Sequence, residues 1–492
     1  DPPSGPPTPK PPPPPSGPDD RYAFQERAVE WFVDPEGADG KGLYWMATGT
    51  GKTITAFKAI NRLFDDGLID HVVINTKERL LHQWAKEMRK RLPGTEDLCT
   101  PWKKREFWQI SGNKQMALFR QQSASRNGRY GHTLFITYSF LPSFVDECIQ
   151  TGHDLSRTLL IVDEVHNIGS DQNVQAMTAD ENEVADESLR ELHEALRPTM
   201  AFENSNLYHA FGYRLGLSAT PMSDFDDTRN RFILNAFTAE PPDFNDIPGW
   251  GTFSIDQRRQ ARIDILANTK WSFYYGLEEA IRDGILVPFK YLAEPYEPSD
   301  EEQAERIRVM RYWKARVADG TASPAAPAIH MARVYKKCED KLRAFRDWLD
   351  RLTVHDKERA LKRALIFVDN TEFGGEVVEI LFNEHDVKTH TFFSGDDENM
   401  VERFSVGELD NLITCHMISE GLDIESVSSI ILFSSDRQRL ETIQRIGRAL
   451  RKNPNDPEKV AQVLDFIYIQ DPDEDTSDAE RYRWLSELGI GD

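Results

Sequence analysis

A glycine-rich octapeptide, Met46-Ala47-Thr48-Gly49-Thr50-Gly51-Lys52-Thr53, constrains this chain more than any other stretch. It lies between the apolar, strand-like Gly42-Leu43-Tyr44-Trp45 and the segment Ile54-Thr55-Ala56-Phe57-Lys58-Ala59-Ile60, whose apolar residues recur at helical spacing. The glycines therefore fall on a strand-to-helix turn, where backbone N–H groups converge and the helix N-terminus adds partial positive charge. Such a turn cradles a phosphate, with Thr48, Gly49, Thr50 and Gly51 as the cradle. Lys52 is spaced to reach the β- and γ-phosphates of ATP, and the Thr53 hydroxyl to ligate Mg²⁺. One residue departs from the full G-x-x-x-x-G-K-[ST] pattern, since Met46 stands where a small residue is expected.

At 492 residues the chain is long enough for roughly three domains. Hydrophobic residues at 39% and charged residues at 29% describe a soluble globular protein. It has no run of about 18 apolar residues and no basic-then-apolar start, so a cytoplasmic location and no membrane partner are expected. Cys99, Cys148, Cys338 and Cys415 lie far apart, against both a disulfide framework and a zinc site. The balance of 59 basic against 82 acidic residues gives a net charge of −23, the wrong sign for a protein that coats nucleic acid indiscriminately. Much of the acid sits in peripheral runs, Asp180 to Glu194 and Asp471 to Glu480, so a local basic channel is compatible with the total.

Residues 1–20 are proline-rich and read as a semi-rigid spacer. With the chain opening on Asp1, that spacer carries the expectation of a missing upstream domain or a protein partner. From residue 21 to about 225, short apolar runs alternate with helical segments, the pattern of a parallel sheet covered on both faces. One run, Thr158-Leu159-Leu160-Ile161-Val162, delivers Asp163 and Glu164 at its C-terminal edge, where open α/β sheets bind ligands. Asp163 suits a metal carboxylate and Glu164 a general base for water. Tyr213 to Pro221 is another strand, ending in Ser218-Ala219-Thr220.

MATGTGKT, IVDEVH and GLSATP, in this order, resemble motifs I, II and III of the superfamily 2 helicases and translocases. The likeness is to the group holding the type I and type III restriction subunits and the excision-repair helicases, in which a leading Met before ATGTGKT is tolerated. The resemblance implies two tandem RecA-like doubly wound parallel-sheet domains with a helical or irregular connector. It also implies roles: Gln25 reads adenine, although the arginine usually found just before it is out of register. Asn75-Thr76-Lys77 with Gln83-Trp84, and Thr137-Tyr138, face the nucleic-acid strand. Ser218 and Thr220 couple hydrolysis to strand grip.

Between 226 and 327 the alternation stops, leaving helical stretches at Tyr274 to Asp283 and Ser299 to Val317 in a connector. A second alternating domain spans 328–470 and lacks a phosphate loop. By resemblance to motif V, Gly421 and Asp423 contact the nucleotide, while Cys415 and His416 depart from the Thr and Asp of many relatives. Gln444, Arg448 and Arg451 share one helical face. Within QRIGRALR, which resembles motif VI, Gln444 lies at the nucleotide and the two arginines reach its phosphates across the interdomain cleft as an arginine finger does. Residues 471–492 read as an acidic tail.

The expected function is ATP-dependent, Mg²⁺-dependent translocation on nucleic acid, DNA favoured over RNA, in a bacterial restriction or anti-phage complex. DNA repair, a helicase-nuclease whose nuclease lies outside this chain, and a non-catalytic scaffold are the alternatives.

Overall fold

A computed structural model describes residues 20–91, 132–168, 206–224, 226–319, 321, 330, 339–393, 396, 397, 399–415, 427–433, 442, 446, 447, 449–452, 456, 458–468 and 477–490. Two six-stranded sheets organise them, and every strand pairing is parallel. The first holds β1 (Lys41–Met46), β2 (His71–Thr76), β3 (His132–Thr137), β4 (Thr158–Asp163), β5 (Tyr213–Ser218) and β6 (Ser272–Tyr275), in the order β3-β2-β4-β5-β1-β6. The second holds β7 (Phe289–Pro295), β8 (Ala364–Phe367), β9 (Thr391–Phe392), β10 (Asn411–Thr414), β11 (Ser429–Leu432) and β12 (Ala461–Ile467), in the order β7-β12-β11-β8-β10-β9.

Runs such as His71-Val72-Val73-Ile74-Asn75-Thr76 and Ala364-Leu365-Ile366-Phe367 are buried along their whole length. Central parallel strands carry that pattern because helices cover both faces. The sheet order brings β4, β5 and β1 side by side, so the ends of three sequence-distant strands share one edge.

The stretch expected as a connector instead donates a strand to each sheet. Ser272-Phe273-Tyr274-Tyr275 pairs with β1 from Leu43↔Ser272 to Met46↔Tyr275, and the helix expected to start at Tyr274 is Leu277–Arg282. Phe289–Pro295 pairs with β12 as the edge of the second sheet. The acidic tail is also corrected in part. Ser477–Leu488 is a helix in which Ala479, Trp484 and Leu485 are buried. Its acids do not face water alone, since Arg481 bonds Asp465 (Nε–Oδ2 2.6 Å) and Asp478 (Nη2–Oδ1 3.1 Å).

Both sheets contribute to one continuous apolar core. Phe24, Ile74 and Leu217 belong to it from the first, Leu365, Ile430 and Val463 from the second, and Leu286 and Phe289 from the segment between them. No described helix is long and apolar enough to cross a membrane.

Candidate nucleotide site

Met46 closes β1 with its side chain wholly buried in the shared core. A bulky residue is accepted there because it is still strand, and the turn begins only at Ala47. The Thr50 hydroxyl donates to the Ala47 carbonyl (2.7 Å), tightening the turn. Gly49 and Gly51 both adopt φ +88°, a left-handed conformation that L side chains rarely take. Gly51 caps the helix Lys52–Asp65, which places Lys52 and Thr53 on its first turn. Lys52 Nζ donates across the loop to the Met46 carbonyl (3.2 Å). Burial holds its pKa below the ordinary lysine value, against the opposing pull of Glu164 and Asp163.

Gln25 lies beneath the turn, delivered by the helix Ala23–Val33, whose Phe24 ring stacks on Tyr275 at 3.9 Å. Its amide Nε2 donates to the Thr50 carbonyl (3.2 Å).

Two strands away, β4 ends at Asp163. Trp84 Nε1 donates to Asp163 Oδ2 (2.7 Å), the Glu164 N–H donates to Oδ1 (3.0 Å), and the Tyr138 hydroxyl donates to the Asp163 carbonyl. Burial, reinforced by repulsion from Glu164, pushes the Asp163 pKa up to about 6, while Trp84 and Lys52 pull it down. Glu164 turns the chain in the left-handed region (φ 48°, ψ 53°), which costs a non-glycine residue about 1–2 kcal/mol. Its Oε2 is buried without a hydrogen-bond partner, 3.4 Å from His166 Nδ1.

His166 ties this strand end to the next. Its buried ring is held neutral, its pKa pushed well down by desolvation and by the cations Arg229, Lys77 and Lys52. Asn167 Nδ2 donates to Nε2 (3.2 Å), so the proton sits on Nδ1 and is shared with Ser218 Oγ at 2.9 Å. Ser218 Oγ in turn accepts the Thr220 N–H (3.0 Å), and Trp45 Nε1 of β1 donates to the Ala219 carbonyl (2.9 Å). Thr220 Oγ1 is buried without a hydrogen-bond partner.

The second domain closes the site. A Cβ built on Gly49 would fall 3.4 Å from Arg451 Cγ and 3.5 Å from the Gly447 carbonyl, and one on Gly447 would fall 2.8 Å from Thr48 Cβ. Arg451 comes close enough to Lys52 to lower its pKa, and burial lowers the pKa of Arg451 itself. The residues placed together are thus Gln25, Thr48, Gly49, Thr50, Gly51, Lys52, Thr53, Asp163, Glu164 and Arg451. Arg448, Gly421, Asp423 and Gln444, with His416, lie outside the described residues.

The strand-facing set divides. Thr137 is half-buried at the end of β3, its hydroxyl 3.2 Å from Ser139 Oγ. Thr76 is fully buried at the end of β2. Asn75 is likewise internal, its amide donating to the Ile136 carbonyl (3.3 Å). Trp84, expected to face a nucleic-acid strand, faces Asp163. Sequence spacing had no means of pairing it with an acid on a different strand. His166, quoted only as part of DEVH, emerges as the link between the ends of β4 and β5.

A family model described as type III restriction enzyme, res subunit, matches residues 21–223, and one described as helicase conserved C-terminal domain matches residues 341–453. A Saccharomyces cerevisiae protein named as an ATP-dependent helicase, IRC3, is 29% identical over 120 residues, covering 23% of this chain and 17% of its own length. Helicase 22 of a Sulfolobus islandicus filamentous virus is 34% identical over 71 residues, covering 14% of this chain and 12% of its own. The chain thus spans under a fifth of the length of these curated relatives. Among solved structures, the ATP-dependent type ISP restriction-modification enzyme LlaBIII bound to DNA shares the fold, with a TM-score of 0.53 and 17% identity over 96% of this chain and 30% of that one. With the restriction-type model on the domain that carries the phosphate loop and the helicase C-terminal model on the domain that closes over it, the chain carries the two domains of a superfamily 2 helicase related to the restriction subunits.

Proposed function

We propose that this chain hydrolyses ATP with Mg²⁺ and converts each cycle into movement along nucleic acid, DNA rather than RNA, as the motor of a bacterial restriction or anti-phage complex. The observation that carries the proposal is the packing of Gly447 and Arg451 from the second domain against Thr48 and Gly49 of the loop. A nucleotide held there is shared by both domains, so its binding and loss change how they fit together.

The residues fit Mg²⁺ as well as ATP. Asp163 carries a desolvated carboxyl beside Lys52, and Glu164 holds a buried oxygen without a hydrogen-bond donor. Thr53 and Asp163 would hold the ion, which when bound neutralises charge developing on the phosphates. Lys52 leaves the Met46 carbonyl for the β- and γ-phosphates. Glu164 accepts a proton from the attacking water, its carboxylate aimed by the left-handed turn. Arg451, with Arg448, faces the leaving phosphate charge, and Gly421, Asp423 and Gln444 complete the nucleotide contacts. The His166–Ser218–Thr220 chain carries the state of the β4 end to that of β5, and Thr137 lies at the edge where a strand would pass. DNA is favoured by the restriction-type likeness, since the similar LlaBIII structure is described as bound to DNA.

Steady-state ATPase assays with single-stranded DNA, duplex DNA and RNA test this reading. Stimulation by DNA is expected, and Glu164→Gln should lose at least about 100-fold in turnover while melting normally. Undiminished hydrolysis by Glu164→Gln would refute the base assignment, and stimulation by RNA alone would overturn the choice of DNA.

A further inference from the structure

The helix Asp300–Ala318 leaves β7 by way of a short loop and contains no buried residue. From Arg306 to Arg316 it carries five basic side chains and no acidic one, in a chain of net charge −23. The helix dipole accounts for only part of this. Acids at Asp300, Glu301 and Glu302 and bases at Lys314 and Arg316 suit the two ends, but the dipole acts within the first and last turns, and Arg306, Arg308 and Arg311 stand in the middle.

The helix has a seated face and a presented one. On the seated side Val309 and Met310 pack against the second-domain core, and the Arg306 guanidinium lies 4.4 Å over the Tyr468 ring. Its start is anchored, since the Ser299 N–H donates to Asp340 Oδ2 (2.6 Å) and Glu302 Oε1 accepts the Glu339 N–H (3.0 Å). The presented side holds Ile307 (51% exposed), Arg308, Arg311, Tyr312 (55% exposed) and Lys314. Arg308 also pairs with Glu305, one turn earlier.

Tyr468 directly follows the last residue of β12, so the helix is seated at the carboxyl edge of the second sheet. Open α/β sheets bind their ligands at that edge. Arg308, Arg311 and Lys314 follow one another at three-residue steps, about 4.5 Å of rise each. Three cations in a row beside an exposed aromatic ring match a nucleic-acid strand, whose phosphates take the charge and whose bases stack. Two exposed apolar residues are too few for a membrane-seated helix, which needs a broad apolar face. We propose that Arg308, Arg311, Tyr312 and Lys314 on this helix form a nucleic-acid docking surface outside the nucleotide cleft. This rests on the reading that the chain works on nucleic acid.

The test compares the unaltered chain with a variant carrying Arg308→Gln, Arg311→Gln and Lys314→Gln, and with Tyr312→Ala. Binding of fluorescein-labelled single-stranded DNA, duplex DNA and RNA is followed by anisotropy over about 50–200 mM salt. The triple variant should bind at least about tenfold more weakly, with a salt slope shallower by about 2 to 3. Tyr312→Ala should weaken single-strand binding by roughly tenfold and duplex binding far less. ATPase without nucleic acid should be unchanged in both, because these side chains are exposed and none of them belongs to the nucleotide site. If the unaltered chain binds and the triple variant matches it in affinity and slope, this inference fails alone. If the unaltered chain binds none of the three, the functional reading fails and takes this inference with it. If the triple variant keeps its nucleic-acid affinity but loses binding to phosphatidylserine vesicles, the surface is a lipid site and the inference is overturned.

Discussion

One indole N–H helps set the state of the carboxyl on which the nucleotide site depends. Trp84 donates to Asp163 at 2.7 Å while its ring meets Phe57 edge-on, centroids 5.5 Å apart. Trp84→Phe keeps most of the packing and removes the donor. A hydrogen bond to a charged group contributes about 1.5–3 kcal/mol, so turnover near neutral pH should fall about tenfold. The melting temperature should move by only a few degrees, and an unchanged turnover would remove Trp84 from the site. Lys459 acts from the opposite side, donating to the carbonyls of Arg451 (2.8 Å) and Val427 (2.5 Å). Burial lowers its pKa to about 8. An unfolded lysine holds its proton to about pH 10.4, so between these values the unfolded chain binds more protons and stability rises with pH. Urea unfolding of the unaltered chain and Lys459→Met from about pH 7.5 to 10 should give curves that diverge above pH 8, in favour of the unaltered chain. Parallel curves would refute the shift. Neither role is written in local sequence, because both partners of each bond come from different elements.

At the scale of elements, period and burial agree where a segment packs in its own neighbourhood. The spacing of Leu342, Phe345, Trp348 and Leu349 predicts one apolar helix face, and all four are buried on the helix Asp340–Arg351. Asn411–Thr414 is a strand with the bounds its apolar run suggests. The differences fall on edge elements. Phe289-Lys290-Tyr291-Leu292-Ala293-Glu294-Pro295 is half-buried or exposed apart from Phe289, so its pattern is weak, and pairing with β12 makes it a strand. Ser477–Leu488 reads as acidic because its charges dominate, yet two of those acids and Arg481 are internal. Leu485→Ala should lower stability by about 2–5 kcal/mol, the cost of emptying a core position. Denaturant titration checks this, and a change below about 0.5 kcal/mol would return the segment to the status of a solvated tail.

At the scale of the whole molecule, two domains are joined by charge as well as by apolar packing. Arg259 bonds Asp224, just beyond Thr220, through Nη2 (2.6 Å), and Glu480 of the last helix through Nη1 (2.6 Å). The end of β5 and the far end of the chain are therefore one ion-paired unit. Gly447 packs closely against Thr48 of the loop. Gly447→Val would set its Cβ 2.8 Å from Thr48 Cβ, too close without a shift. ATPase should fall at least tenfold while circular dichroism and melting stay near those of the unaltered chain, and full activity would show that closure does not pass through this contact. The alternating pattern determined two parallel-sheet domains, and the glycine-rich loop determined a strand-to-helix turn, because repeat period and short motifs are local properties of a chain. Tertiary structure alone decided that Trp84 serves Asp163 and that Thr76 is sealed inside. It alone placed the connector in both sheets and one cationic helix face toward solvent. Those outcomes depend on which surfaces meet once residues tens to hundreds of positions apart are folded together, and no local pattern encodes that meeting.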